Sequence, residues 1–306
     1  MRRIVGVIIF VLGVLLAVLG FLKIVPGATQ TGILAVVIGA VVFGLSFVSR
    51  QEAGPDAPPP LSPTERVTGV FYEPARIFQN LHLHPRWLAA FLLMAICAAV
   101  YHVALVQRLT PEVVALAPIE KTIEGGFIPA DRADQIREQT REVAQSPFFK
   151  VAGPLSDAGG IFLFEVFLAA IFLVLALIFG GRLTFWQALC VAMYSSLPVV
   201  VIDKLISLLL LYIKSRDDID PIKGQRGLVR ADLGVLFSPA EHPYLYVLGS
   251  FFGLLTIYGL WLEATGLRCA GQKISSASSW TIALILWAIG LLFALILAAL
   301  FPTFVT

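Results

Sequence analysis

Five residues in apolar surroundings are the ones whose types could do chemistry in this chain: Glu165, Ser196, Asp203, Lys204 and Ser207. A charge at the centre of a bilayer costs at least about 2.5–3.5 kcal/mol, so ionisable groups there face a bundle interior and pair. Ser196, Asp203 and Ser207 are spaced by seven and four residues and fall on one helical face. That polar stripe either lines a water-filled path for a small solute or ion, or holds helices together. Asp203 and Lys204 are adjacent and point about 100° apart on a helix, so neither can face the other along it. Glu165 and Lys204 come to roughly the same depth on stretches joined by the turn at Gly180-Gly181, which predicts that these two pair across a helical hairpin. Glu263, read as near the inner end of its span, is expected to reach the headgroups.

The remaining reactive side chains form no constellation. His82 and His84 stand at i, i+2, and His102 and His242 lie near the ends of apolar stretches. Cys97 and Cys190 fall inside such stretches as packing residues, and Cys269 lies just beyond one as an unmodified thiol or an acylation site. Asp217, Asp218 and Asp220 lack the spacing and Gly of a calcium loop and read as a solvated turn. With no nucleophile beside a base, no phosphate-cradling loop and no zinc spacing, the expectation is no catalytic residue, cofactor or metal, and no enzyme. A net charge of +2, carried by scattered Lys and Arg, also argues against nucleic acid as a partner.

The elements that must position these residues are membrane spans. Of the 306 residues, 58% are hydrophobic, and mean hydropathy is +0.88. No soluble globule of this size could cover itself with what polar surface is left. About 20 apolar residues at 1.5 Å each cross the hydrocarbon. Seven stretches qualify, at 4–22, 32–48, 87–106, 159–179, 186–213, 244–262 and 280–301, and the fold class is all-α, a polytopic transmembrane helical bundle. Pro198 removes one ladder hydrogen bond in the fifth stretch and is expected to kink it, with Ser195 available to the freed carbonyl.

Residues 1–50 read as a two-span hairpin with its first span retained. Gly6, Gly13 and Gly20 recur at heptad spacing, as do Gly32, Gly39 and Ser46, which lets two backbones approach around the Pro26-Gly27 turn. Residues 51–63, with five prolines, form an extended linker, so this hairpin is expected to be dispensable for the rest. In the interfacial segment 64–86, Val67, Val70, Phe71, Ile77, Phe78 and Leu81 give two amphipathic helical pieces broken at Pro74, with Trp87 an interfacial anchor. Between later spans, 108–157 holds one helical stretch, 131–145, with Ile136, Thr140 and Val143 on one side.

From Thr64 onward the order of features resembles the Yip-type, Rab-interacting membrane protein family, in its bacterial-like branch. The residues that carry it are Phe71-Tyr72-Glu73-Pro74, Pro85-Arg86-Trp87, Gly180-Gly181-Arg182 before Phe185, Tyr194-Ser195-Ser196-Leu197-Pro198, and Thr256-Ile257-Tyr258 ahead of Gly266-Leu267. The chain departs from the bacterial pattern at Tyr258, in place of Trp, and at Gly253, in place of Asp. The resemblance implies a five-span domain over 64–306, and a non-enzymatic scaffold or adaptor in membrane organisation or trafficking. Eukaryotic members of the family bind small GTPases. It also implies a bacterial inner (plasma) membrane and a cytoplasmic protein partner through residues 51–86. A small transporter using the intramembrane acids is the alternative. Arg2, Arg3, Arg50, Arg182, Arg268 and Lys273 on the short inner connections, against Lys23 on the short outer turn, place the N-terminus in the cytoplasm and the C-terminus outside. Oligomeric state is left open.

Overall fold

The structure is a computed structural model, and it describes residues 2–49, 54 and 57–301. The all-α polytopic class holds. Six helices are long and apolar enough to cross a membrane: α1 (Arg2–Phe21), α2 (Ala28–Leu45), α5 (Leu88–Leu109), α8 (Phe149–Ile178), α9 (Phe185–Ile213) and α13 (Ser276–Leu300). Between α2 and α5 in the chain come two short helices, α3 (Pro63–Gly69) and α4 (Pro74–Leu83). Most of the stretch at 51–56 lies outside the described residues.

The sixth expected span is the one that differs. It is broken into α11 (Pro243–Ser250) and α12 (Leu254–Ala270), because Gly253 leaves the helix in extended geometry and bridges Asp232. Leu233 N–H donates to Phe252 O (3.2 Å) and Leu254 N–H to Ala231 O (3.1 Å), so residues 231–233 satisfy the backbone groups that the break frees. Among the described residues, six helices rather than seven therefore meet the length of a span. α12 runs on to Ala270, which puts Glu263 about 10 Å from its end instead of near it.

The chain divides into two compact units, and α5, α8 and α9 each contribute one part to either. The first unit comprises residues 1–49, 95–163 and 204–228. In it α1 and α2 pack backbone to backbone, as the glycine spacing predicts. A Cβ on Gly13 would meet Val36 N at 2.5 Å, one on Gly32 Ala17 N at 2.3 Å, and one on Gly39 Phe10 N at 2.4 Å. Three further helices belong to this unit: α6 (Pro111–Glu124), α7 (Ala130–Gln145) and α10 (Pro221–Arg226). Tyr101, Leu105, Leu109, Val114, Leu211 and Ile219 form its buried cluster.

The second unit comprises residues 50–94, 164–203 and 229–306. Its centre is the first half of α9, where every residue from Trp186 to Ser195 is buried. A helix that is apolar all round is a core helix, and α4 lays Ile77, Phe78 and Leu81, each at most 1% exposed, into the same unit. α3 and α4 are the two amphipathic pieces expected, with Val70 also buried. Ser62 caps α3 in a capping box, its side chain accepting from Glu65 N–H while Glu65 accepts from Ser62 N–H (2.8 Å). An antiparallel bridge between Arg182 and Gln272, two N–H to O bonds of 2.8 Å, ties the α8–α9 turn to the α12–α13 turn.

Candidate intramembrane polar site

Of the five candidate residues, Glu165, Ser196 and Asp203 belong to the second unit and Lys204 and Ser207 to the first. In the second unit, Glu165 on α8 is 2% exposed, and Ser196 on α9 is the side chain that hydrogen-bonds its carboxyl. Its Oε2 has no hydrogen-bond partner among the described residues. Glu263 on α12 is near enough for its carboxyl to feel the charge of Glu165. A buried carboxyl oxygen without a donor is costly. The structure thus brings together Glu165 and Ser196, and adds Glu263 as a neighbour.

In the first unit, Lys204 and Ser207 serve a different purpose. Lys204 Nζ donates to Arg226 O and lies 5.1 Å from the centre of the Tyr101 ring. Ser207, fully buried, accepts from Leu228 N–H at 2.8 Å. Tyr101 OH donates to Gly224 O at 2.6 Å. Three side chains thus satisfy the backbone of 224–228, where α10 ends at Gly227 with a φ of 143°. Each member of the predicted Glu165–Lys204 pair has a partner that the prediction did not include, the Ser196 hydroxyl for Glu165 and the Arg226 carbonyl for Lys204. The second is long-range, from a segment that returns to α9, a contact invisible in helical spacing. Asp203, half-buried beside Lys204, also takes part in an interaction, so the stripe from Ser196 to Ser207 is not a row of idle polar groups.

Several polar contacts escaped the sequence reading. His102 on α5 places Nδ1 2.8 Å from Asp157 Oδ2 on α8, while its buried Nε2 faces Gly153 without a partner. Asp157 carried no signal because 149–158 read as loop, whereas α8 begins at Phe149 and runs through Pro154. Arg66, 3% exposed, donates from Nη1 to Arg86 O (3.3 Å) and from Nε to Ser62 O (3.4 Å). Tyr194 OH donates to the same Arg86 O (3.3 Å). His82 Nδ1 lies 2.6 Å from Ala270 O, and Gln187 Nε2 donates to His82 O at 2.9 Å. Tyr258 OH reaches Phe71 O at 3.4 Å. These bonds lock the interfacial helices onto α9 and α12. Ser195, expected to help the carbonyl freed by Pro198, donates instead to Ala192 O (3.0 Å), and α9 continues unbroken.

No group of three His, Cys, Asp or Glu among the described residues is placed to hold a metal ion. Asp220 instead caps α10, accepting from Ile222 and Lys223 N–H.

Among the described residues, six helices apolar and long enough to cross a membrane define an integral membrane protein of the helical-bundle class. Residues 68–298 match the Yip1 domain, and the chain belongs to that family. No curated protein and no solved structure gives a match.

Proposed function

We propose that this protein is a non-enzymatic membrane adaptor whose cytoplasmic platform is the α3–α4 segment, from about residue 57 to 86. One observation carries this reading: the segment is pinned from below and left open above. Val70, Ile77, Phe78 and Leu81 are buried, and Arg66, His82 and Asn80 are engaged, while Glu65, Tyr72, Glu73, Arg76 and Gln79 point outward. Loops tethered loosely to a membrane gain nothing from such fixing, whereas a surface that must meet a protein partner gains by losing less entropy on binding. The same contacts weigh against the transporter alternative, because Lys204 and Ser207 are spent on the backbone of 224–228.

The orientation belongs to this proposal: an N-terminus and residues 51–86 in the cytoplasm of a bacterial inner membrane, with residues 108–157 and the C-terminus outside, α11 and α12 together making one broken crossing. The positive-inside distribution of Arg and Lys supports it. The test uses single cysteines at the exposed positions Gln79 and Glu142 in a cysteine-free background. In intact cells an impermeant maleimide is expected to label Glu142→Cys and spare Gln79→Cys. A photo-crosslinker at Gln79 is expected to give a discrete adduct that Glu65→Lys abolishes. Labelling of Gln79→Cys from outside, or no adduct at any exposed position of α3 and α4, overturns the reading.

A further inference from the structure

Between the first turn of α4 and the C-terminal turns of α12, both in the second unit, lies an open pocket lined by Tyr72, Glu73, Arg76, Trp261, Thr265 and Arg268. Trp261, Thr265 and Arg268 follow at i, i+4 and i+7 and so make one face of α12. Along the helix axis Arg268 stands about 10 Å from Trp261. The pocket is therefore graded along α12, with an indole at one end, a hydroxyl between and a guanidinium at the other, and α4 adds the second guanidinium, that of Arg76. Tyr72 is 69% exposed and Trp261 41%, and Tyr258 stacks on Trp261 with centroids 5.9 Å apart. Trp and Tyr with this exposure belong at the level of lipid carbonyls, and Arg one step further out belongs among phosphates.

The charge balance sharpens the assignment. Arg76 is held by Glu73 at 2.8 Å, whereas Arg268 has no acceptor among the described residues. The lining thus carries two cations and one anion, with the uncompensated guanidinium at the end of a membrane helix. We propose that this pocket binds an anionic phospholipid, its headgroup phosphate on Arg268 and Arg76 and its glycerol and upper acyl carbons over Trp261. A free phosphate would use the arginines alone and leave the exposed aromatic floor in water. A zwitterionic lipid would bring a cation towards the two guanidinium groups. Tyr72, Glu73 and Arg76 also belong to the outward side of the platform, yet the lipid titration is read in detergent without a protein partner, so its failure and that of the adaptor reading are distinguishable.

The purified full chain in detergent, titrated with phosphatidylglycerol, with phosphatidylcholine of the same acyl chains, and with inorganic phosphate, tests this by native mass spectrometry and Trp fluorescence. Phosphatidylglycerol is expected to bind preferentially and to shift the emission. Loss of one charge-assisted contact in Arg268→Gln is expected to weaken it about tenfold, the order of a hydrogen bond to a charged group. Glu73→Gln frees Arg76 and is expected to tighten binding; that variant leaves α4 intact, because Glu73 makes no side-chain cap bond. Equal retention of phosphatidylcholine, equal competition by inorganic phosphate, or an unchanged affinity in Arg268→Gln with native helicity would each overturn the proposal.

Discussion

Gly153 has no side chain because His102 fills the space one would need: a Cβ there would lie 2.1 Å from Nε2 and 2.4 Å from Cε1. Gly153→Ala is therefore expected to push the imidazole off Asp157 and lower the melting temperature in detergent, at a cost of about 1–3 kcal/mol, the usual range for overpacking. His102→Ala in the same chain makes room and should return part of the loss. Strict additivity of the two changes would show that the ring yields without strain. At this scale the sequence disclosed which residues are out of place in lipid but not what they touch. Glu165 is conspicuous in LFEVF, yet its partner depends on which helix lies beside α8. Lys204 is conspicuous too, and its partner sits on a segment 22 residues further along the chain.

α6 and α7 are held by Arg137, whose Nε and Nη2 donate to the two carboxylate oxygens of Glu120, both at 2.8 Å, while Nη1 donates to Asp134 at 2.9 Å. Arg141 adds a bond to Glu112 at 2.9 Å. The hydrogen bonds from Arg137 hold the Glu120 carboxyl below its ordinary value of 4.5. A depressed carboxyl stabilises the folded pair fully above that ordinary value and loses its contribution as the pH falls through the lower, folded one. The pair is partly exposed to solvent, so its worth is small. A nitroxide pair on exposed positions of α6 and α7 is expected to show the distance broadening only as the pH falls below 4.5 and through the lower, folded value. Arg137→Gln should broaden it at neutral pH and remove the dependence; an unchanged distance in Arg137→Gln at neutral pH would count against the link. Periodicity disclosed α3, α4 and α7, and the apolar runs disclosed the long helices. It missed α6, where Pro118 and mixed charges blur the pattern, and it missed the break at Gly253, where apolar residues continue on both sides and only the bridge to Asp232 marks the end.

Taken whole, the molecule divides by contact rather than by order along the chain. The linker composition separates residues 1–50 from 64–306, yet the hairpin packs with other parts of the first unit: a Cβ on Gly159 would meet Ile38 and Leu34 side chains at 2.8 and 2.9 Å, and one on Gly27 would meet Val143 at 2.7 Å. A chain truncated to begin at Pro63 is expected to insert and purify, but to melt below the full chain and to expose 130–163 to proteolysis. An unchanged melting temperature would show the hairpin to be free-standing. Which spans pack together is hard to see in sequence for a physical reason. Lipid is as apolar as Leu, so hydrophobicity does not choose between neighbours, and the choice falls to small residues and a few polar contacts.

The end of the proline-rich segment is fastened down: His84 Nε2 lies 2.7 Å from Pro58 O, Asn80 Nδ2 donates to Pro59 O at 3.3 Å, and Leu61 N–H donates to Asn80 Oδ1 at 3.2 Å. From Pro58 onward the segment is therefore part of the α3–α4 platform rather than a spacer ahead of it, and a change at Asn80 or His84 would release chain that lies some twenty residues earlier in the sequence.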